Sequence, residues 1–263
     1  MTHQHTATAS DGASIAWSSI GDGDPVVLVH GITESAASFA PVTERLATTH
    51  RVITLDLRGH GQSSLAETYD LAAMAGDVAA VVAASGAAEP HLIGHSLGGA
   101  VVTAAGAVMP VRSVVDIDQS LQLDAFKDQL VAAEPMLRDP EQYTLVTDAM
   151  FEMMMGDKLS AQERERVNAL RRPEHEVVLG VWELLLTEPV DEIARTIDEA
   201  LAGYATSPTP YLALFGIDPG PDYSAWLAER VPGATVECWT DHGHYPHLVD
   251  PDRFVARVLE FWG

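Results

Sequence analysis

Short apolar runs alternate with helical patterns along most of this chain, and this alternation limits its possible folds more than any other feature. Mostly apolar runs of four to seven residues are typical of strands that are buried on both faces of a parallel sheet. Such runs occupy residues 25–31, 51–57, 91–94, 113–118 and 210–216. Apolar residues at helical spacing fill the intervals, over 35–47, 67–86 and 97–109. We therefore predict an α/β fold, with a mostly parallel sheet and helices on both of its faces.

Two regions depart from this alternation. Residues 3–9 and 13–19 alternate apolar and polar side chains around Asp11-Gly12, which predicts an antiparallel hairpin at the start of the chain. From 119 to 207 no strand pattern is found, whereas helical patterns appear at 160–172 and 176–187. We expect this segment to be an inserted helical lid, or cap, with residues 1–118 and 208–263 forming the core. After it, the patterns predict a helix over 222–230, a strand over 234–239 and a helix over 251–262.

Charge and cysteine content exclude several functional classes. The 38 acidic residues outnumber the 15 basic ones and give a formal net charge of −23. Such a chain repels phosphate backbones and anionic lipids, so we expect neither nucleic acid nor a membrane as a partner. The single cysteine, Cys238, cannot form an internal disulfide or a cysteine-based zinc site. No signal peptide is visible, so we expect a cytoplasmic protein. We further expect a monomer or homodimer that acts on a small molecule and uses no metal or cofactor.

The segment Gly94-His-Ser-Leu-Gly98 lies between a predicted strand and a predicted helix. This is the setting in which a Gly-x-Ser-x-Gly motif forms a sharp turn with the serine exposed at its tip. Side chains at the two glycine positions would clash with the neighbouring strand or helix. The pattern therefore predicts that Ser96 is a nucleophile.

A nucleophilic serine that attacks a carbonyl also needs donors for the developing negative oxygen. Leu97 begins the helix after the motif, so its N–H lies at a helix N-terminus and can donate to an oxyanion. The loop that follows the strand at 25–29 contains His30-Gly31-Ile32, and Gly31 permits a close backbone approach. We predict that the N–H groups of Ile32 and Leu97 form the oxyanion hole.

The serine also needs a base. Of the eleven histidines, His244 is best placed, on a loop between the last predicted strand and the last helix. Together with this order of residues, several motifs resemble those of the α/β-hydrolase fold family: the His-Gly loop at 30–31, Leu57-Arg-Gly-His-Gly-Gln-Ser63, Gly94-His-Ser-Leu-Gly-Gly99 and Gly243-His-Tyr-Pro-His-Leu-Val-Asp-Pro251. The similarity covers nearly the whole chain except 119–207. The resemblance implies that His244 is the catalytic histidine.

The resemblance also implies a carboxylate that orients the histidine. Family members usually place this acid in the loop after the strand that ends here at Gly216, which favours Asp218. Some relatives place it one strand earlier, and Asp118 occupies that position, 22 residues after Ser96. Asp222 is a third and weaker candidate. We predict a triad of Ser96, Asp218 and His244, with Asp118 as the alternative acid.

These residues predict a serine hydrolase that cleaves a carboxylic ester or lactone of a small, moderately hydrophobic molecule. Met150, Met153 and Trp182 of the insertion are candidates to line an apolar substrate pocket, although side chains of this kind more often form ordinary core. The resemblance leaves carbon–carbon bond hydrolases and cofactor-free perhydrolases of the haloperoxidase type open, because they share the serine motif. Epoxide hydrolases and haloalkane dehalogenases are disfavoured, because those relatives carry Asp in place of Ser. A ligand receptor with little turnover is the alternative outside enzyme function.

Overall fold

The computed structural model describes residues 3–207 and 209–263 and contains one eight-stranded sheet. The strands are β1 (His3–Thr8), β2 (Ser14–Ile20), β3 (Pro25–Val29), β4 (Arg51–Leu55), β5 (His91–His95), β6 (Ser113–Ile117), β7 (Tyr211–Phe215) and β8 (Thr235–Cys238). Their order is β1-β2-β4-β3-β5-β6-β7-β8; β2 pairs antiparallel with β1 and β4, and the other described pairs are parallel. The predicted mostly parallel sheet is thereby confirmed.

Helices cover both faces of this sheet, as predicted. Side chains alternate along β3, so Val27 and Val29 face one layer of helices while Val26 and Leu28 face the other. The helices are α1 (Ala40–Leu46), α2 (Leu71–Ser85), α3 (Leu97–Val108), α4 (Asp124–Leu137), α5 (Tyr143–Met155), α6 (Ala161–Leu170), α7 (His175–Thr187), α8 (Val190–Leu201), α9 (Tyr223–Arg230), α10 (Pro246–Val249) and α11 (Pro251–Trp262). The first layer contains α2, α3, α8 and α9, and the second contains α1 and α11.

The segment between β6 and β7 is helical, and its helices pack in two places. Helices α4, α5 and α7 share an apolar cluster, which includes Phe151 and Trp182 and reaches Ile32 of the core. Helix α8 contributes Ile193 to this cluster, but it also packs on α3, and its Ile197 belongs to the main cluster against the sheet. The division of the chain into a core and a 119–207 lid remains a prediction, but α8 at least is built into the core layer.

The uncharged stretch around the serine motif forms β5, a turn and α3. Within residues 3–207 and 209–263, no helix combines the length and the apolar character that a membrane crossing requires.

Candidate active site

Ser96 occupies a strained turn between β5 and α3. Its backbone angles, φ 53° and ψ −125°, lie outside the regions that residues with side chains normally adopt, at a cost of about 1–3 kcal/mol. The flanking glycines make the turn possible. A Cβ atom on Gly94 would lie 2.0 Å from the carbonyl oxygen of Gly98, and a Cβ on Gly98 would lie 2.1 Å from that of Val29. The sequence folds in this way locally because only glycine fits at both positions.

His244 lies in the loop between β8 and α10 and is buried, with 4% of its surface exposed. Its Nδ1 is 2.6 Å from Oδ2 of Asp118, a distance typical of a short charge-assisted hydrogen bond. Nε2 of His244 is buried and has no hydrogen-bond partner among the residues that the structure describes. His244 also lines a cavity that Ser96 lines. The histidine is therefore held at Nδ1 and has Nε2 available as a base.

Asp118 follows the last residue of β6 and adopts a left-handed backbone conformation, with φ 52°. Its Oδ1 accepts hydrogen bonds from the N–H groups of Gly216 (2.6 Å) and Ile217 (2.9 Å), at the end of the neighbouring strand β7. These two bonds fix the carboxylate and direct Oδ2 towards His244.

Asp218, which the sequence favoured as the acid, does not make this contact; the carboxylate that contacts His244 is that of Asp118, the alternative acid. The Asp218 side chain is exposed, and its Oδ1 accepts a hydrogen bond from Gly220 in its own loop (2.9 Å). The reason lies in how closely the two loops pack: a Cβ on Gly216 would lie 1.8 Å from the carbonyl oxygen of Gly243. The short loop after β7 therefore turns outward and carries Asp218 to the rim of the cavity, while Asp222 directly precedes α9.

The predicted oxyanion donors lie at the same cavity. Ile32 and Leu97 both line it, and within the described residues the N–H of neither takes part in a hydrogen bond. A Cβ on Gly31 would lie 3.3 Å from Cβ of Ser96, so the loop that contains Ile32 passes close to the serine. The arrangement is compatible with two free N–H groups directed at a carbonyl oxygen bound beside Ser96.

Two buried histidines, to which the sequence assigned no role in the chemistry, support this loop. The N–H of Thr33, whose φ is 67°, donates to Nε2 of His60 (3.0 Å), and the N–H of Leu57 donates to Nε2 of His30 (3.0 Å). Burial lowers the pKa of each imidazole to about 4, so both rings are neutral at pH 7 and can accept these bonds. The signal in the sequence was the Leu57-to-Ser63 motif, in which His60 lies.

The cavity has a volume of about 1320 Å³ and is open between the sheet core and the inserted helices. Met153 and Trp182, two of the three predicted pocket residues, contribute to its lining. Met150 does not, and instead packs in the cluster formed by α4, α5 and α7. A helical pattern cannot tell which of two methionines three residues apart faces a cavity, because that depends on how α5 is rotated against its neighbours.

No group of three or more histidine, cysteine, aspartate or glutamate side chains within the described ranges is arranged to hold a metal ion. The candidate site thus consists of a serine, a histidine–aspartate pair and two backbone N–H groups.

Comparison with known proteins agrees with this fold. The sequence profile of the alpha/beta hydrolase family matches residues 26–257, which include the serine turn, Asp118 and the histidine loop. The chain belongs to the alpha/beta hydrolase family. Membership confirms both the fold prediction and the prediction of a hydrolase.

Several esterases resemble the chain over almost its whole length. The esterase YbfF of Escherichia coli (strain K12) is 26% identical over 90% of this chain and 92% of its own. The pimeloyl-[acyl-carrier protein] methyl ester esterase of Aliivibrio salmonicida is also 26% identical, over 94% and 95%. Among solved structures, the esterase RhEst1 of Rhodococcus sp. ECU1013 has a TM-score of 0.73 and 28% identity, with 98% of each chain covered.

Proposed function

We propose that the protein is a serine hydrolase that cleaves a carboxylic ester or lactone of a small, moderately hydrophobic molecule through an acyl-enzyme on Ser96. The observation that carries this proposal is the 2.6 Å contact between Nδ1 of His244 and Asp118, which leaves Nε2 free beside the cavity that Ser96 lines. The similarity to esterases supports the same reaction class.

In the proposed reaction, the Nδ1–H of His244 donates to Asp118, so that Nε2 is the basic nitrogen. Nε2 takes the proton from the Ser96 hydroxyl as its oxygen attacks the ester carbonyl. The N–H groups of Ile32 and Leu97 stabilise the negative oxygen of the tetrahedral intermediate. The protonated imidazole, stabilised by Asp118, then gives its proton to the leaving alcohol. His244 then takes a proton from water as the water oxygen attacks the acyl carbon, and it returns that proton to the Ser96 oxygen as the acyl–serine bond breaks and the acid leaves.

The lining of the cavity supports a hydrophobic substrate. Aromatic and aliphatic side chains dominate it, among them Phe126, Phe151 and Trp182. Burial of such surface yields roughly 25 cal/mol per Å² of apolar substrate area, so acyl chains or rings should bind better than small polar groups.

The test is covalent labelling with a fluorophosphonate probe, followed by hydrolysis assays with p-nitrophenyl esters of increasing acyl length and with lactones. We expect one adduct per chain, located on Ser96, and no ester turnover in Ser96→Ala. An unlabelled Ser96, or undiminished turnover in Ser96→Ala, would refute the proposal. Labelling without turnover of any ester or lactone would instead favour carbon–carbon bond cleavage or a receptor role.

A further inference from the structure

We propose that the substrate carries no negative charge on its acyl chain or its alcohol, an inference that rests on the proposed ester hydrolysis. The described residues that line the cavity include seven carboxylates and neither lysine nor arginine. The carboxylates belong to Glu67, Asp70, Asp118, Glu183, Glu188, Glu199 and Asp218.

Six of these carboxylates are exposed and surround the mouth of the cavity, while Asp118 is buried at His244. Arginine side chains neutralise only some of the six exposed carboxylates. Glu199 pairs with Arg195 at 2.6 Å and Glu183 lies 3.6 Å from Arg138, whereas Glu67 and Glu188 form no ion pair with any described residue. The rim therefore repels an anionic substrate during its approach, and salt weakens that repulsion because exposed charges are screened beyond roughly 8–10 Å.

The interior offers no compensation for a carboxylate that passes the rim. Apart from the triad, the buried or half-buried polar side chains that line the cavity are neutral, and they include Gln119 and Ser120. A carboxylate that enters this space loses water without gaining a cation, and that penalty does not depend on salt. Discrimination against anions should therefore have a salt-dependent part from the rim and a salt-independent part from the interior.

Three p-nitrophenyl esters of equal chain length test this inference: those of hexanoic acid, adipic acid (the monoester) and 6-(trimethylammonio)hexanoic acid. We expect kcat/KM for the adipate ester to be roughly 100-fold below that for the hexanoate ester, since an unpaired carboxylate is desolvated. The cationic ester should equal or exceed the neutral one at low salt. Equal rates for the adipate and hexanoate esters would overturn the inference, while failure of all three esters would count against the proposed function itself.

Variants of the rim provide the matched comparison. The double variant Glu67→Gln/Glu188→Gln should reduce the ratio of kcat/KM for the hexanoate ester to that for the adipate ester. In the unmodified protein, 1 M NaCl should reduce the same ratio. Glu165→Gln serves as the control, because Glu165 is an exposed acid on α6 that does not line the cavity. A rim variant that behaves like Glu165→Gln would show that these carboxylates do not contribute.

An independent observation concerns a buried pair behind the site, and from it we infer that Glu34 is a positioning residue. Glu34 lies two residues after Ile32 and Tyr245 directly follows His244, so each belongs to a loop that carries part of the site. The Tyr245 hydroxyl donates to Oε1 of Glu34 at 2.8 Å, and both side chains are buried. This bond ties the oxyanion loop to the histidine loop.

A second bond holds the histidine loop from the other side. Nε2 of His95, the residue before the nucleophile, donates to the backbone carbonyl of His244 (2.8 Å), and its Nδ1 lies 4.0 Å from Oε1 of Glu34. His95, Glu34 and Tyr245 thus join the nucleophile turn, the oxyanion loop and the histidine loop.

A purely structural role does not account for Glu34. Its Oε2 is buried and has no hydrogen-bond partner among the described residues. The free energy lost in desolvating the carboxyl group therefore exceeds what the single hydrogen bond from Tyr245 contributes. An apolar residue of similar size would fill the space at a lower cost. Positioning accounts for the carboxyl, because a displacement of about 1 Å between reacting groups lowers a rate by roughly 100-fold.

Tyr245→Phe tests this role by removing one hydroxyl while keeping the ring. We expect kcat to fall about 10-fold to 100-fold with KM changed less than about twofold, since only the alignment of the reacting groups is disturbed. Tyr204→Phe is the matched control, because the buried Tyr204 hydroxyl donates to the Thr103 carbonyl (2.9 Å) away from the cavity. A kcat for Tyr245→Phe equal to that of Tyr204→Phe would overturn the inference.

Substitutions of Glu34 complete the test. Glu34→Gln keeps an oxygen that accepts the Tyr245 hydrogen bond and should retain most of the activity, whereas Glu34→Leu should lose as much kcat as Tyr245→Phe. If the two residues act as one unit, Glu34→Leu/Tyr245→Phe will be no slower than the slower single variant. Multiplicative losses, or a loss of thermal stability with kcat unchanged, would contradict the role.

Discussion

Replacement of Asp118 by asparagine separates the two candidate acids more sharply than any other change. Oδ1 of Asp118 accepts two backbone N–H bonds, from Gly216 and Ile217, and only Oδ2 faces His244. An asparagine that keeps both of those bonds must place its NH₂ group opposite Nδ1. Nδ1 would then have to accept a hydrogen bond, which moves the imidazole proton to Nε2 and removes the base from the side of the cavity.

The expected magnitude follows from this change of tautomer. The equivalent substitution in a serine protease lowers kcat by about 10⁴-fold, which corresponds to about 5 kcal/mol of transition-state stabilisation. The variant should still fold, since asparagine tolerates the left-handed conformation that Asp118 adopts at φ 52°.

The assay is kcat/KM for a p-nitrophenyl ester, together with the rate of fluorophosphonate labelling and the thermal unfolding temperature. Asp218→Asn is the matched control and should remain within about twofold of the unmodified protein, because an exposed side chain outside the hydrogen-bond network contributes little. The reasoning is refuted if Asp118→Asn retains near-native kcat, or if Asp218→Asn loses activity to the same extent.

Other predictions concern stability. Gly98→Ala should prevent folding, since the added Cβ would lie 2.1 Å from the Val29 carbonyl oxygen. Gly76→Ala should instead raise the free energy of unfolding by up to about 1 kcal/mol in urea, because Gly76 lies on α2 and no atom beyond its own helix backbone is within 4 Å of the added Cβ. Arg58→Met should cost about 3–5 kcal/mol, because it leaves the fully buried Asp77 without the guanidinium that contacts both of its oxygens at 2.7 Å. Arg58→Met/Asp77→Leu should recover part of that loss, and the absence of any recovery would argue against an unpaired charge as its cause. Stability should also fall between pH 7 and pH 5, measured as the unfolding temperature. Burial lowers the pKa of several histidines below their value of about 6.5 in the unfolded chain. Below about pH 6.5 the unfolded chain therefore binds more protons than the folded protein, and the stability that is present above this pH is lost towards pH 4. These histidines are His30, His60 and His91, with a pKa of about 4, and His95, with a pKa of about 3. An unfolding temperature that is constant over this range would contradict the neutral, buried state of these rings.

Most of the fold could be predicted from the sequence because the signals are local. Most strands of the parallel sheet are short, largely apolar runs, and glycines lie at or near the carboxyl ends of β3, β5 and β7. The ends of helices are harder to predict where neighbouring residues have similar helix propensity. The helical pattern at 67–86 begins only at Leu71, where the Asp70 side chain caps the first turn.

The serine turn and the position of His244 were also accessible from the sequence. Gly94, Ser96 and Gly98 lie within five residues, so the geometry they require is set by the strand, the turn and the helix that they join. His244 required only its place after the last strand and before the final helices. Both residues now lie at one cavity, and their catalytic roles remain predictions until the substitutions are measured.

The acid and the supporting contacts, in contrast, depend on which strands are neighbours. Asp118 and His244 are 126 residues apart, and they meet because β6 pairs with β7 in a register that places Asp118 beside Gly216. Glu34 and Tyr245 are 211 residues apart and meet only when two loops close over the same end of the sheet. A sequence specifies such pairs through strand order and register, which no local pattern contains. The chain alone thus predicted a nucleophile on an α/β sheet, and the tertiary structure decided which carboxylate contacts His244, because side-chain contact across a sheet is a property of the assembled fold.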